Sequence, residues 1–362
     1  MMTPNELHDY LLKLKGVPKH PQFFDQCKKD IREHLIPYRS DQPNPPPNSI
    51  LPYPSEKKDI VFYSFMEAPG KPEIGEHEYK RLKISWSSLR NHNKDIEVRF
   101  CYDGSDMKWE KLCKEYDVQM WPFHSSFTGK EPNAWCIHRW YNLALWKNEN
   151  LNVLYMDADT YVNGDIQLLF DIYRRDPVYG REELGFRHDP NLGVSGEDPR
   201  FYLDLVDASI VAQGGKTEVQ KYCLGVILLN HSVHKLFTTE ILSYYTDLLQ
   251  RIFQFKVFYS IPNYRIIDEF AFWILLSRWS LRTSLFGDQD VTQSFIEKKH
   301  ENHFNPIVLH YTTSCEEKFA DWAPEFFCLS RSTEEREDSD IGGGGIYNVN
   351  PLMWEELGMS MW

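Results

Sequence analysis

Asn152-Val-Leu-Tyr-Met-Asp157-Ala-Asp159-Thr-Tyr-Val-Asn163-Gly-Asp165 is the stretch on which the reading of this chain turns. A run of mostly apolar residues, of the kind that fills a buried strand, delivers two aspartates at its carboxyl end. Strand side chains alternate with a period of two, so Asp157 and Asp159 project to the same side, and Ala158 between them is small enough to let a ligand approach the backbone. Two carboxylates this close repel one another unless a cation or a shared proton lies between them. A hard divalent cation with open positions for phosphate oxygens answers that need; two aspartates capping a turn is the plainer alternative. Asp-x-Asp recurs at Asp288-Gln-Asp290 and Asp338-Ser-Asp340, but only the first copy ends an apolar strand.

Upstream, the pattern alternates between strands and helices. Asp59 to Phe65 reads as a buried strand, and Tyr79, Leu82, Trp86 and Leu89 fall on one face of a helix. Ile96 to Tyr102 reads as a strand closed by Asp103-Gly104, Trp109 to Tyr116 as a helix, Val118 to Phe123 as a strand and Ala134 to Trp146 as a helix. The strand Val153 to Met156 then brings the aspartates. This β-α-β-α-β series predicts an α/β fold: a mostly parallel central sheet flanked by helices, with ligands at the carboxyl ends of its strands. Downstream, strands are expected at Glu183–Arg187, Tyr222–Asn230 and Ile307–Tyr311, and a helix from about Asp268 to Trp279.

Residues 1–40 read as a helical N-terminal appendage, and residues 41–57 as a connector, because six of the chain's 21 prolines lie between Asp41 and Pro54. The main domain spans 58–330. Residues 331–362 comprise an acidic run, the glycines Gly342 to Gly345 and a C-terminal segment expected to dock back on the body. The 362 residues are 42% hydrophobic and 26% charged, a globular composition that argues against a disordered or coiled-coil chain. The formal net charge of −13, with no dense basic run, argues against a nucleic-acid partner and a polybasic membrane anchor. Seven scattered cysteines without a C-x-x-C pair suit a reducing compartment. No stretch approaches the ~18 uncharged apolar residues that a membrane span needs. The expected location is the cytoplasm, or the periphery of a membrane that bears a lipid-linked acceptor.

Two known families place Asp-x-Asp in such a setting. The segment resembles the strand–Asp-x-Asp-x-Thr motif of haloacid-dehalogenase-like phosphatases, which implies Asp157 as nucleophile and Asp159 as acid/base. That motif normally ends the first strand of its domain, whereas here three strands precede it, and Tyr161 stands where a small residue is expected. The second resemblance covers more of the chain. Residues 59 to about 322 resemble the GT-A (Rossmann-like) nucleotide-sugar glycosyltransferases, as a divergent member of glycosyltransferase family 8, which contains retaining galactosyl- and glucosyltransferases. Asn163-Gly-Asp-Ile-Gln-Leu-Leu-Phe170 matches the family's continuation of the Asp-x-Asp strand. Cys223-Leu-Gly225-Val-Ile-Leu-Leu-Asn230 matches its Asn-x-Gly-Val-x-Leu-x-Asn strand, with Cys223 in place of the first Asn. Asp268-Glu269 opens a helix as the family's acidic helix start does, with Asp288-Gln-Asp290 as runner-up, and Val308-Leu-His310 is a strand ending in the family's histidine.

This resemblance implies a metal-dependent retaining hexosyltransferase. Asp157, Asp159 and His310 would hold Mn²⁺ or Mg²⁺, and a UDP-sugar would be the donor. Arg139 matches a donor-contacting basic residue about five helical turns before the aspartates, and Lys318 a diphosphate-binding lysine displaced by two residues. Asp268 and Glu269 would orient the donor sugar, with Ala158 and Gly225 lining the donor site. From the topology, Tyr63, Ser64 and Asp103, at the ends of the first two strands, are candidates for holding the nucleoside. For His310 a hydrogen-bonded strand-end histidine, for Arg139 a surface helix residue and for Cys223 a small buried residue are the alternatives. The acceptor, whether glycan, glycolipid or protein, and the oligomeric state stay open. So does a third possibility, a nucleotide-sugar-binding protein whose catalytic site has drifted.

Overall fold

Strand β1 (Lys58–Met66) is built from the apolar run that begins at Asp59. In the computed structural model, the structure describes residues 57–67, 70–122, 139–140, 142–144, 146, 148–173, 176–182, 222–237, 241–242, 245, 267–279, 283–287, 289–293 and 306–311. The expected N-terminal helices, proline connector, strand 183–187, acidic run and C-terminal segment all lie outside these residues, as do Lys318, Asp288 and the third Asp-x-Asp copy.

After β1 come helix α1 (Pro72–His92), strand β2 (Glu97–Asp103), helix α2 (Lys108–Glu115), strand β3 (Gln119–Pro122) and strand β4 (Leu151–Met156). Residues 139–140 and 142–144 are helical, within the helix expected before β4. Strands β1, β2, β3 and β4 are mutually parallel neighbours, as the alternating pattern predicts. The chain then forms β5 (Thr160–Val162), α3 (Gln167–Ile172), β6 (Val178–Glu182), β7 (Tyr222–Leu229), α4 (His231–His234), α5 (Ile267–Trp279), β8 (Thr283–Leu285), β9 (Val291–Gln293) and β10 (Val308–His310). The order in the large sheet is β3-β2-β1-β4-β7-β6-β8, and β5-β10-β9 form a smaller sheet. Strand β7 runs antiparallel to both β4 and β6, while β8 is parallel to β6. The seven-stranded sheet is therefore mixed but mostly parallel, in a mixed α/β fold.

The alternation of β1 packs both faces of the sheet. Val61 and Tyr63 join Trp86, Leu89 and Phe100 under α1, with the Trp86 ring edge-on to Tyr63 and Phe100. Phe62 points the other way, edge-on to Trp146 and Tyr155. Across that face Trp140 stacks on Phe272 of α5 at a ring separation of 5.0 Å.

Helix α1 is amphipathic in an unusual sense, because its apolar face adjoins a polar stripe that is also buried. Ser85 and Ser88 are almost fully buried. Ser85 Oγ lies 2.8 Å from both the Tyr63 hydroxyl and Thr160 Oγ1. Ser88 Oγ accepts from Val162 N at 3.0 Å, and Asn93 Oδ1 accepts from Ile166 N at 2.8 Å while its amide donates to Gly164 O. These bonds satisfy backbone groups of the segment after the Asp-x-Asp strand, groups that would be costly to bury alone. At its end, α1 is clamped by Arg90, whose guanidinium donates to the carbonyls of Asn93, Lys94, Ile96, Tyr116 and Asp117. Asp117 is the described non-glycine residue with positive φ, 50°, in the turn that presents its carbonyl to Arg90.

Candidate functional site

The carboxyl end of β4 meets the middle of β7, and the meeting is held by backbone bonds. Met156 pairs with Val226, and Asp157 N donates to Gly225 O at 2.8 Å. From the small sheet, Tyr311 N donates to Asp159 O at 3.1 Å, and His310 faces Thr160 in the antiparallel pairing of β10 with β5. Three segments far apart in sequence are thereby fixed around one point. Asp157, Asp159 and His310 each bring one ligand atom, and these atoms lie within 4.8 Å of one another.

Each member has its own support. Tyr155 donates its hydroxyl to Asp157 Oδ1 at 2.6 Å, the two side chains sharing a face of β4. His310 Nε2 lies 3.2 Å from Asp159 Oδ1. Burial opposes ionisation of Asp159 most strongly, yet attraction to His310, a hydrogen bond from it and the charge of Arg81 together hold its carboxyl well below the usual carboxylate range. Gly225 is the floor under the imidazole: a Cβ there would clash with the His310 ring, 2.1 Å from Cε1, 2.5 Å from Nδ1 and 2.6 Å from Nε2. Cys223 Sγ lies 3.7 Å from His310 Nδ1 and accepts from Gly225 N at 3.5 Å.

The donor set suits a hard or borderline divalent cation. Two carboxylate oxygens and one imidazole nitrogen match Mn²⁺ well and Mg²⁺ less so. Two atoms that meet an ion at right angles, each about 2.1–2.2 Å away, stand about 3 Å apart, close to the His310–Asp159 separation of 3.2 Å. The residues present thus fit the metal that the sequence resemblance implies.

Beside the cluster stands a buried ion pair. Arg139, 7% exposed, places Nη2 3.0 Å from Asp268 Oδ2 and Nη1 3.8 Å from Asp157 Oδ1, with its guanidinium over the Tyr155 ring. Burial raises the Asp268 carboxyl to about 6, Arg139 opposing that rise and Asp157 adding to it. The adjacent Glu269 accepts from Leu224 N at 3.1 Å, which ties the start of α5 to β7.

The remaining sequence candidates divide. Ala158 is half-buried between the two aspartates and packs against the core. Ser64, at the end of β1, interacts with the Tyr155 hydroxyl that supports Asp157. Tyr63 is 1% exposed, and its hydroxyl turns into the core toward Ser85 rather than to a ligand site. Asp103 ends β2 opposite Met66 of β1, outside the acidic cluster. Asp290, in the runner-up Asp-x-Asp, receives the Tyr173 hydroxyl.

Sequence reasoning missed the contribution of α1. Glu78 and Arg81, one helical turn apart, pair at 2.9 Å, and Arg81 lends positive potential to Asp159. Burial raises the Glu78 carboxyl, Arg81 counteracts this, and both aspartates reinforce it. The signal was present in the spacing 78, 81, 85 and 88, a single helical stripe of polar residues interleaved with the apolar one.

The fold and site together define a class: an α/β chain with an acidic–imidazole cluster at the carboxyl end of a central strand. No family model matches the chain, and no curated protein matches it. Among solved structures, it is similar to the glycosyltransferase GlyE of Streptococcus pneumoniae TIGR4 (14% identity over 85% of this chain and 62% of that one, TM-score 0.40). It is also similar to the bifunctional glycosyltransferase WbbM (12%, covering 73% and 47%, TM-score 0.42) and to mouse xyloside xylosyltransferase 1 (10%, covering 72% and 99%, TM-score 0.42). The chain spans under two thirds of the first two of these proteins, and likenesses this distant assign no activity. Among the described residues, no helix is long and apolar enough to cross a membrane.

Proposed function

We propose that this chain is a metal-dependent glycosyltransferase of GT-A type that transfers a hexose from a UDP-sugar, with retention, to a glycan, glycolipid or protein acceptor. The observation that carries the proposal is the convergence of Asp157, Asp159 and His310 within 4.8 Å, beside the Arg139–Asp268 pair. The sequence resemblance supplies the donor class and the stereochemistry.

In this reading Asp157, Asp159 and His310 hold Mn²⁺ or Mg²⁺, which when bound neutralises charge developing on the departing diphosphate. Arg139 keeps the Asp157 carboxylate and Asp268 in fixed positions, and its guanidinium adds positive potential on the leaving-group side. Tyr155 fixes the orientation of Asp157 by donating to Oδ1, so the carboxylate enters the reaction already aimed. Asp268 and Glu269, buried at the start of α5, orient the donor sugar, and the Asp268 carboxylate steadies positive charge developing on it. Ser64 and Asp103 at the ends of β1 and β2 are the proposed nucleoside contacts, in the crevice where a parallel sheet binds nucleotides.

The test is thermal unfolding against UDP, GDP, ADP and CMP, each with Mn²⁺, Mg²⁺ or EDTA, followed by donor-hydrolysis assays with UDP-sugars. Ligand at ~100 times its dissociation constant adds about 2.7 kcal/mol to stability. Selective stabilisation by UDP with Mn²⁺, lost in EDTA and in Asp157→Asn, is expected. Stabilisation by Mg²⁺ with a phosphate mimic and by no nucleotide would reject the transferase in favour of a phosphatase with Asp157 as nucleophile. Nucleotide-sugar binding without transfer or hydrolysis would leave a binding protein.

A further inference from the structure

The position where the resembling family carries a sugar-contacting Asn is Cys223, and its sulfur lies not in an open pocket but 3.7 Å from His310 Nδ1. The cysteine is 5% exposed and His310 also 5%, so the contact is made away from bulk water. The far side of the same ring, Nε2, faces Asp159. A histidine presents a lone pair to a cation on one nitrogen only when its proton sits on the other, and that proton then needs an acceptor. Gly225 leaves no room below the ring. The backbone of β10 fixes its root, and Cys223 Sγ lies at Nδ1 within the range of a sulfur hydrogen bond.

We infer that Cys223 is a positioning residue for the metal site: its sulfur accepts the Nδ1 proton of His310 and so commits the Nε2 lone pair to the cation shared with Asp157 and Asp159. The inference rests on the metal-site reading above. It also accounts for the departure from the family pattern, since a thiol serves this purpose in a space where Gly225 N already donates to the same sulfur. Sulfur is a weak acceptor but a large one, and the long 3.7 Å separation is within the range that sulfur bonds span.

The experiment is Mn²⁺ titration calorimetry on the full chain for wild type, Cys223→Ser, Cys223→Val and Cys223→Ala, with unfolding midpoints in EDTA as the folding control. Outer-shell partners of a ligating histidine contribute about 10–100-fold in metal affinity. Cys223→Ala and Cys223→Val are expected to lose that much, while Cys223→Ser, which keeps an acceptor, stays within a few-fold of wild type. The effect must pass through the imidazole, so Cys223→Ala on top of His310→Ala should bind Mn²⁺ no more weakly than His310→Ala alone. Equal affinity of Cys223→Ala and wild type, or a Cys223→Ala loss that persists without His310, overturns the inference and leaves the metal site standing. If wild type binds no Mn²⁺, the metal-site reading fails and this inference fails with it.

Discussion

Gly225→Ala is the smallest change that tests how the cluster is built. The new Cβ would lie 2.1 Å from His310 Cε1, and an ordinary contact begins at 3.4 Å, so the ring must retreat by about 1.3 Å. Neither neighbour yields easily. β7 is buried along its whole length and pairs on both sides, and His310 is rooted between β5 and β9. A retreat of that size directly away from Asp159 carries Nε2 from 3.2 Å to about 4.5 Å from Asp159 Oδ1, beyond hydrogen-bond range. Overpacking of this kind costs about 1–3 kcal/mol of stability. The sharper readout is metal affinity, because the imidazole leaves the carboxylates while both aspartates stay in place. Calorimetry with Mn²⁺ should show Gly225→Ala approaching the weak binding of His310→Ala, with circular dichroism reporting an intact fold. A Gly225→Ala protein that binds Mn²⁺ within twofold of wild type would refute the proposal that His310 is a ligand held against this glycine.

Other perturbations test other parts of the molecule. Burial, first, and the charges of Lys235 and Arg99 lower His234 from 6.5 to about 4, against a backbone bond to Leu143 and the charge of Glu149. The unfolded chain therefore binds the extra proton between about pH 6.5 and 4, and stability present above pH 6.5 is lost as pH falls through that window, by up to about 3 kcal/mol. His234→Phe should flatten that part of a denaturant-midpoint profile, and an unchanged acid slope would disprove the assignment. Arg139→Gln strands the buried Asp268 carboxylate, so its destabilisation should be larger at pH 8 than at pH 5, where Asp268 folds protonated; a pH-independent loss argues against the pairing. Arg90→Lys should cost about 2–3 kcal/mol in urea unfolding, since one ammonium cannot reach five carbonyls in a planar fork. Mn²⁺ affinity should be unaffected, because the clamp lies at the far end of α1; a stability equal to wild type would show that the clamp carries no weight.

The parts of the fold visible in the sequence are those whose side chains obey a local period. β1, β2, β4 and β7 are largely apolar runs and emerge within a residue or two of their expected ends, while α1 is legible from Tyr79, Leu82, Trp86 and Leu89 at helical spacing but begins well before them, at Pro72. β5, β8 and β9 are three residues each, and their strand character comes from partners distant in the chain. β6 (Val178–Glu182) has no counterpart among the expected strands, the strand expected at 183–187 lying outside the described residues. The antiparallel direction of β7 is likewise absent from the local pattern, because an apolar run reads the same in either sense. At the site, Asp157 and Asp159 announce themselves by spacing, whereas His310, the last residue of β10, stands out only through the family resemblance. Glu78, Arg81, Ser85 and Ser88 share a helical stripe in the sequence, but the stripe does not reveal its burial, because a polar residue that packs against a distant loop and one that faces water are spelled alike.

The cluster also sits on a seam. Asp157 follows β4 of the large sheet, whereas His310 ends β10 of the small one. A cation bound by both would be a crosslink between two separately hydrogen-bonded layers, and its binding free energy would add directly to their cohesion. The seam would then be tighter with the cation bound than without it. Amide exchange along β10 and β5, rather than along β1 or β2, is where that tightening would be recorded.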